Sequence, residues 1–266
     1  MNPKLLDIYG PISIQSYGAL IALGVVVSLG LIAKDYRYKK LNLQNKLLDI
    51  IAVAILAGFA GGRILFILTE YQQYDSIFEM MLPWTGGLSV LGSIIGILIA
   101  LPLYLKKLNV PIFPFLDLIS IYAPLTQSFG RIGCFFAGCC YGLPTTFPWG
   151  VVYTHADCFA PLGQTVHPAQ LYSAIILLCI FALMFFVVQK KLHITGQLVC
   201  AYLFFSSVER FFVDFFRGDR SGIIETPFAA LSHTQLIAFT ITIASVIAFC
   251  VITRKNAQNI QVHTQQ

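Results

Sequence analysis

Seven long apolar segments alternate with short polar segments along the chain. Apolar runs of about twenty residues match the thickness of a bilayer when they fold as α-helices. The runs are continuous and do not alternate with the two-residue period of a membrane barrel strand, so we predict helices. The predicted spans are residues 13–33, 47–69, 88–105, 113–129, 168–189, 195–216 and 232–253. In the fourth span, the apolar pattern is interrupted by Pro114, Asp117 and Pro124.

The composition supports a membrane protein. Hydrophobic residues make up 57% of the chain and charged residues only 11%, against about 25% charged residues in a typical soluble domain. We therefore predict an all-α fold, in which residues 1–255 form a single seven-helix transmembrane domain. The polar residues 256–266 are expected to be a disordered tail. The N-terminus lacks the features of a cleavable signal peptide, so we expect the first span to be retained.

The basic residues indicate the orientation of the helices. Most of them lie in one set of loops and in the tail: Lys34, Arg37, Lys39, Lys40, Lys46, Lys106, Lys107, Lys190, Lys191, Arg254 and Lys255. The positive-inside rule makes these segments cytoplasmic. The N-terminus and residues 71–80 are then outside, as in a multi-pass protein of the bacterial inner membrane. The net charge of +5 is accounted for by this anchoring, so we infer no nucleic-acid partner.

Residues 130–142, which follow the fourth span, combine four glycines with Arg131. Glycine lets a backbone approach a ligand closely, and arginine presents a planar fork of donors that suits phosphate. Ionisable residues at membrane depth are rare and usually functional. We therefore expect this segment to bind a lipid headgroup. The alternative is a snorkelling arginine in a loop that needs tight turns.

The end of the sixth span carries a second group of charges. Arg210, Asp214 and Arg217 are spaced by four and three residues, so they share one face of a helix. A charge facing lipid there costs about 2.5 to 3.5 kcal/mol, which favours a polar cavity. The alternative is an ion pair of Arg210 with Asp214 that only neutralises itself.

Three further residues are candidates for the site. Arg63 lies about two turns from the outer end of the second span, where it either contributes to the site or snorkels outward. His167 precedes Pro168, which suits a first helical turn, so we expect His167 at the cap position and facing the same cavity as Arg131. It would handle a proton or serve as a cap. Tyr17, near the start of the first span, is typical of a membrane interface.

The seven cysteines fall into two groups. Those inside apolar runs are expected to be small core residues: Cys179, Cys200 and Cys250. Those near the outer side are candidates for disulfides in an oxidising compartment: Cys134, Cys139, Cys140 and Cys158. We expect at least two of these four to be oxidised. Because Cys-x4-Cys-Cys is not the paired Cys-x2-Cys pattern of zinc sites, no metal site is predicted.

Several motifs, in order along most of the chain, resemble the prolipoprotein diacylglyceryl transferase family. They are Tyr17-Gly18, Gly61-Gly62-Arg63, Gly86-Gly87-Leu88-Ser89, Gly130-Arg131-Ile132-Gly133, His167-Pro168-x-Gln170-Leu171-Tyr172, Arg210-Phe211-x-x-Asp214-Phe215-Phe216-Arg217 and Ser232-x-x-Gln235. The family differs at three positions. It has histidine where this chain has Leu91, asparagine at Cys134 and glutamate at Cys139.

The resemblance implies an enzyme that moves a diacylglyceryl group from phosphatidylglycerol to the lipobox cysteine of a preprolipoprotein and releases glycerol 1-phosphate. Its partners would be phosphatidylglycerol, preprolipoprotein signal peptides and membrane lipids, and no cofactor is implied. The implied catalytic residues are Arg131, Arg210 and His167. The implied substrate-binding residues are Arg131, Arg210, Tyr17, Arg63, Gly133, Gly142 and Asp214.

Two alternatives remain open. One is a diverged membrane paralogue that binds phosphatidylglycerol but uses another acceptor, as the replacements at Leu91, Cys134 and Cys139 suggest. The other is a lipid or solute transporter, which would predict inverted repeats and broken helices that we do not see in the sequence. A retinal-binding photoreceptor is excluded, because the seventh span contains no lysine for a Schiff base.

Overall fold

The structure, a computed structural model, describes residues 3–9, 12–70, 87–220, 222–225 and 230–264. The described part is mostly helical. Its helices are α1 (Ser16–Ile32), α2 (Tyr36–Lys40), α3 (Leu47–Thr69), α4 (Val90–Lys107), α5 (Ile112–Ala137), α6 (Ala169–Leu183), α7 (Gln197–Val213) and α8 (His233–Thr264). Helix α6 continues through a π-helical turn at Met184–Val188 and a last turn at Gln189–Lys191. A 3-10 turn at Asp214–Phe216 follows α7.

The described residues also form three short antiparallel strand pairs, one before α1 and two in connections between helices. They are β1 (Lys4–Tyr9) with β2 (Ile12–Gln15), β3 (Val151–Val152) with β4 (Thr165–Val166), and β5 (Ile223–Glu225) with β6 (Ala230–Ser232). The β3–β4 pair lies in the connection between α5 and α6. Tyr153, Ala160 and Val166 form a small core there.

A helix lies over each of the seven predicted spans, so the prediction of helical structure is confirmed. Within the described residues, three helical segments are long and apolar enough to cross a membrane: Leu47–Thr69, Ala169–Lys191 and His233–Gln258. Helix α1 is apolar but shorter. The count of seven crossings and the positions of the two termini stay predictions. The predicted outer loop at 71–80, as well as Gly86, lies outside the described residues.

Helix α5, which covers the fourth predicted span, is longer than predicted and is not broken by its polar and proline residues. Pro114 lies in the first turn of α5, where a missing N–H breaks no helical hydrogen bond. The carboxylate of Asp117, which is buried, accepts hydrogen bonds from the backbone N–H of Gly196 at 2.6 Å and of Val199 at 2.9 Å. Asp117 therefore stabilises the start of α7 by accepting from its free N–H groups.

The last helix extends into the predicted tail. Helix α8 continues to Thr264, through most of the segment 256–266, whose disorder stays a prediction. The residues after Arg254 include no glycine or proline that would end the helix. A helix that is already formed extends at little cost through Ala257 and Gln258, which both have high helix propensity.

The chain divides into two compact units. One comprises Met1–Lys34 and Leu116–Gln266, and the other comprises Asp35–Phe115. In the second unit, α3 and α4 pack with their backbones in contact: a Cβ on Gly92 would lie 2.3 Å from the carbonyl oxygen of Gly61. Small residues allow this close approach between membrane helices. A single domain over 1–255 stays a prediction.

Polar side chains link the helices of the first unit. The hydroxyl groups of Ser28 on α1 and Thr126 on α5 lie 2.7 Å apart. Gln197 on α7 donates to Thr253 on α8 at 2.9 Å. Apolar helices gain no hydrophobic drive to associate in lipid, so such hydrogen bonds and close packing hold them together.

Candidate active site

Arg131 lies in the last two turns of α5, and not in a loop as the sequence predicted. The glycines of this segment allow helices to pack. A Cβ on Gly133 would lie 3.0 Å from Cα of Tyr17 and 3.3 Å from a carbon of its ring. Two of the predicted site residues, Tyr17 and Gly133, are therefore in contact, close to Arg131 in the chain.

The guanidinium of Arg131 is half-buried and forms no hydrogen bond or ion pair with any residue that the structure describes. Arg210 on α7 lies close enough to both Arg131 and Arg217 to be affected by their charges. Like charges that approach in a poorly hydrated region repel one another, so this arrangement favours an anion between them. Arg131 and Arg210 thus lie within electrostatic range of one another, and their shared role in binding phosphate stays a prediction.

Asp214 is the carboxylate around which the other arginines are arranged. It is 1% exposed. Its Oδ1 lies 3.3 Å from Arg210 Nη2 and 3.8 Å from Arg217 Nη1, and its Oδ2 lies 3.6 Å from Arg220 Nε. The hydroxyl of Ser232 also donates to Oδ2. These contacts favour a positioning role for Asp214, and its predicted contact with substrate stays a prediction.

Three segments of the first unit meet in backbone hydrogen bonds beside these arginines. The N–H of Gly142 donates to the carbonyl of His167 at 3.1 Å, and the N–H of Leu143 donates to Phe216 at 2.8 Å. A Cβ on Gly142 would lie 2.2 Å from that His167 oxygen, so only glycine fits here. The structural need for Gly142 is therefore clear, whereas its contact with substrate stays a prediction.

His167 does not occupy the predicted cap position. The N-cap of α6 is Pro168, which has no side-chain hydrogen bond to the helix. The ring of His167 instead turns to an aromatic cluster, where its Nδ1 lies 3.1 Å from the Tyr172 hydroxyl. Trp149 Nε1 donates to that same hydroxyl at 2.8 Å. The histidine is thus held in one orientation by hydrogen bonding and ring contacts, and its role in proton transfer stays a prediction.

Cys134, Cys139 and Cys140 form a cluster in which all three sulfur atoms lie within 4.8 Å of one another. Helix α5 ends at Ala137, and the backbone then takes left-handed conformations at Gly138 (φ 75°) and Cys140 (φ 57°). This turn brings Cys139 and Cys140 back toward Cys134. The Cys-x4-Cys-Cys spacing did not predict that the chain turns back after α5 and brings the three sulfur atoms together.

The thiols of this cluster affect one another's protonation. Hydrogen bonds from the thiols of Cys134 and Cys139 lower the pKa of Cys140, and the charges of Arg217 and Arg131 act in the same direction. Hydrogen bonding to Cys134 and to Cys140 raises the pKa of Cys139. All seven cysteines are free in the structure, so the expected disulfide among the four outer cysteines is not formed there.

Gln170 fixes the loop that carries the cysteines. It is 1% exposed, and its Nε2 donates to the Cys139 carbonyl at 2.8 Å and to the Tyr153 hydroxyl at 3.1 Å. Burial raises the pKa of Tyr153 to about 12. Gln170 belongs to a motif that the sequence analysis quoted, but its burial and its contact with Cys139 were not predicted.

Two further polar contacts were missed. Ser173 on α6 donates to the buried Glu209 on α7, within the part of the helices that carries Arg210. Ser232 and Gln235 form a capping box at the start of α8: Ser232 N–H donates to Gln235 Oε1 at 2.9 Å, and Gln235 N–H donates to Ser232 Oγ at 3.1 Å. The Ser-x-x-Gln spacing before an apolar run is a signal that could have predicted this cap.

Arg63 belongs to the second compact unit. Its side chain is buried at 8% exposure and donates from Nη1 to the Gly87 carbonyl at 3.3 Å. The contact is with the residue that precedes α4, so the alternative of a side chain directed toward the predicted outer end of α3 stays open. Leu91, at the position of the family histidine, is 61% exposed on α4. Arg63 as a contact for substrate stays a prediction.

Comparison with known proteins identifies the family. The family model described as prolipoprotein diacylglyceryl transferase matches residues 3–251. A phosphatidylglycerol--prolipoprotein diacylglyceryl transferase of Clostridium tetani is 37% identical over 91% of this chain and 95% of its own length. A second such protein, numbered 2, from Clostridium perfringens is 33% identical over 94% of both chains, and one from Finegoldia magna is 31% identical over 93% and 94%. The chain therefore belongs to the prolipoprotein diacylglyceryl transferase family.

Proposed function

We propose that the protein transfers the diacylglyceryl group of phosphatidylglycerol to the lipobox cysteine of a preprolipoprotein, a step of lipoprotein maturation. The sulfur of the acceptor forms a bond with the glyceryl carbon next to phosphate. The bond between that carbon and the phosphate oxygen breaks, and glycerol 1-phosphate leaves with the electron pair. The relatives that cover more than nine tenths of the chain carry names that state these two substrates.

The observation that carries this proposal is the guanidinium of Arg131, which lies close to Arg210 and makes no hydrogen bond or ion pair with the residues that the structure describes. An arginine whose donors are not used by the described part of the chain can offer them to a phosphate. As the leaving group departs, negative charge grows on its phosphate, and fixed cations lower the energy of that transition state. We assign Arg131 and Arg210 as the catalytic residues that hold the phosphate.

Tyr17 and Gly133 contact one another next to Arg131, so we place them against the bound lipid. His167, held by Tyr172, is our candidate for taking the proton of the acceptor thiol. The alternative is an acceptor thiol that is already ionised. Leu91 cannot accept the proton of the thiol, because its side chain has no group that binds a proton.

We further propose that the chain crosses the bacterial inner membrane seven times, with its N-terminus outside and its C-terminus in the cytoplasm. The distribution of lysine and arginine supports this orientation. The arginine cluster, which we define as Arg131, Arg210, Arg217 and Arg220, then lies toward the outer face, where preprolipoprotein signal peptides emerge.

Substitution of Arg131 tests the proposal. The purified protein is given labelled phosphatidylglycerol and a lipobox peptide, and lipidated peptide is measured over time. Arg131→Ala should lower the rate about a hundred- to a thousandfold, because one contact to the developing charge is lost. Arg131→Lys should be almost as slow, because lysine lacks the planar fork. Arg254→Ala, an exposed arginine at the far end of α8, is the control and should keep the wild-type rate.

A second candidate, a paralogue with another acceptor, is favoured by the replacements at Leu91, Cys134 and Cys139. It predicts that the wild-type protein binds phosphatidylglycerol in the same preparation but yields neither lipidated peptide nor glycerol phosphate. A wild-type rate in Arg131→Ala would also contradict the proposal.

A further inference from the structure

Three thiols close to the arginine cluster have no role in the reaction as proposed above. Cys134 is buried in the last turn of α5, and Cys139 and Cys140 follow it in the turn after the helix. The sulfur atoms lie within 4.8 Å of one another, which is the distance range of sulfurs that share one metal ion. In a tetrahedral zinc site with Zn–S bonds of about 2.3 Å, neighbouring sulfurs lie about 3.8 Å apart.

The chemistry of the ligand set selects the type of metal. Three sulfurs with no carboxylate or imidazole among them suit a soft ion such as Zn²⁺ and disfavour Mg²⁺ or Ca²⁺. A disulfide would use only two of the three thiols, whereas a metal ion uses all of them. One of the possible disulfides would join the adjacent Cys139 and Cys140.

The surroundings hold the cluster in place and compensate its charge. Gln170 donates to the Cys139 carbonyl at 2.8 Å and is itself fully buried, so the turn cannot shift freely. Arg131 and Arg217 lie close enough to Cys140 for their charges to act on it. Three thiolates and one Zn²⁺ leave a net negative charge, which these two arginines balance.

We propose that Cys134, Cys139 and Cys140 bind one Zn²⁺ ion, whose fourth coordination position accepts the thiol of the lipobox cysteine. The described residues supply three ligands and leave one position open, which is the arrangement of catalytic zinc sites, as opposed to structural ones. The second half of this inference rests on the transferase function proposed above. The first half, the binding of zinc, does not depend on it.

The open position gives zinc a role in the transfer. An acceptor thiol bound to the metal would lose its proton to water before the attack, because a coordinating thiol is deprotonated. This corresponds to the already ionised acceptor that was given above as the alternative to proton transfer to His167. With zinc held by the three cysteines, the acceptor sulfur would be ready to form the C–S bond with the glyceryl carbon as the C–O bond to phosphate breaks. The electron pair leaves with glycerol 1-phosphate, whose phosphate faces Arg131. Zinc in this position activates the thiol in a chain that has Leu91 in place of histidine.

The binding of zinc is tested on the full chain, purified in detergent under reducing conditions and without substrate. Metal analysis should find one zinc ion per chain. Co²⁺ added to the zinc-free protein should give the intense visible bands of tetrahedral cobalt together with a sulfur-to-metal charge-transfer band. Absence of bound zinc, or cobalt spectra without sulfur ligation, overturns the inference. Binding of Cu(I) but not of Zn²⁺ also overturns the inference. The same holds if protein isolated without reductant contains a disulfide between two of the three cysteines.

Single serine variants identify the ligands. Cys134→Ser, Cys139→Ser and Cys140→Ser should each weaken zinc binding at least about tenfold, since even indirect partners of a metal contribute this much. Cys179→Ser, an exposed cysteine of α6, is the matched control and should bind zinc as the wild type does. A variant that fails to fold is recognised by its thermal unfolding, and Cys→Ala at the same position then replaces it. Unchanged zinc affinity in all three serine variants contradicts the assignment.

Activity measurements separate this inference from the proposed function. Zinc-free protein should transfer lipid at least about tenfold more slowly than zinc-loaded protein, and added Zn²⁺ should restore the rate. If transfer is fast without zinc, the activating role fails and the transferase assignment stands. If zinc binds to the three cysteines but no lipidated peptide forms under any condition, the metal site stands and the transferase assignment fails.

Discussion

Asp214 is the carboxylate that several arginines of the site share. Asp214 lies within 4 Å of three guanidinium groups, those of Arg210, Arg217 and Arg220, and also accepts from Ser232. Arg131, on another helix, has no such partner among the described residues. Asp214 therefore holds Arg210, Arg217 and Arg220 in place, whereas the described residues do not use the hydrogen-bond donors of Arg131.

Loss of the carboxylate should destabilise the protein. Asp214→Asn leaves three buried or half-buried guanidinium groups without their shared partner, so we expect the free energy of unfolding to fall by about 3 to 5 kcal/mol. Asp219→Asn is the control. The Asp219 side chain is 28% exposed and, among the described residues, pairs only with Arg217, so its loss should cost at most about 1 kcal/mol. Thermal unfolding in detergent compares the two variants, and equal midpoints would contradict the central place of Asp214.

The helices were predictable because long apolar runs in a membrane protein have few other structures open to them. Their ends were harder to predict. The segment with Arg131 and Gly133 was expected outside the helix, because its charge and glycines are typical of loops. Gly133 instead permits contact with Tyr17, which no feature of the local sequence reveals. The cluster of Cys134, Cys139 and Cys140 depends on the same longer helix and on the left-handed turn that follows it.

The close packing of α3 and α4 predicts that two helical glycines, Gly92 and Gly30, respond differently to replacement by alanine. A Cβ on Gly92 would lie 2.3 Å from the carbonyl oxygen of Gly61, whereas a Cβ on Gly30 of α1 has no neighbour within 4 Å. Gly92→Ala should therefore force α3 and α4 apart and lower the free energy of unfolding by about 1 to 3 kcal/mol. Gly30→Ala should leave stability unchanged or raise it slightly. A destabilisation of equal size in both variants would show that the backbone contact is not responsible.

At the scale of the whole molecule, the distribution of basic residues predicts the orientation in the membrane. Lysine and arginine are concentrated in one set of loops, and the contact between Lys46 Nζ and the Leu108 carbonyl at 3.1 Å links two of these loops within the second unit. The positive-inside rule places both of them in the cytoplasm. The loop between β3 and β4 is then on the opposite, outer side, in the same connection as the cysteine turn.

Cysteine labelling in intact cells tests this orientation. In a background that lacks the native outer cysteines, Asn45→Cys should be protected from a membrane-impermeant thiol reagent. Gln164→Cys, an exposed residue of the loop between β3 and β4, should be labelled. Permeabilised cells serve as the control, because both positions should then react. Labelling of Asn45→Cys in intact cells would overturn the topology.

The most direct measurement follows both products of the wild-type protein at once. Phosphatidylglycerol labelled in its diacylglyceryl part and in its terminal glycerol is incubated with the purified protein and a lipobox peptide. Transfer predicts that thioether-linked diacylglyceryl peptide and free glycerol 1-phosphate appear together in a one-to-one ratio, and that a peptide with serine in place of its cysteine yields neither. Binding of the lipid without either product, or release of glycerol phosphate without lipidated peptide, would contradict transfer to the cysteine thiol.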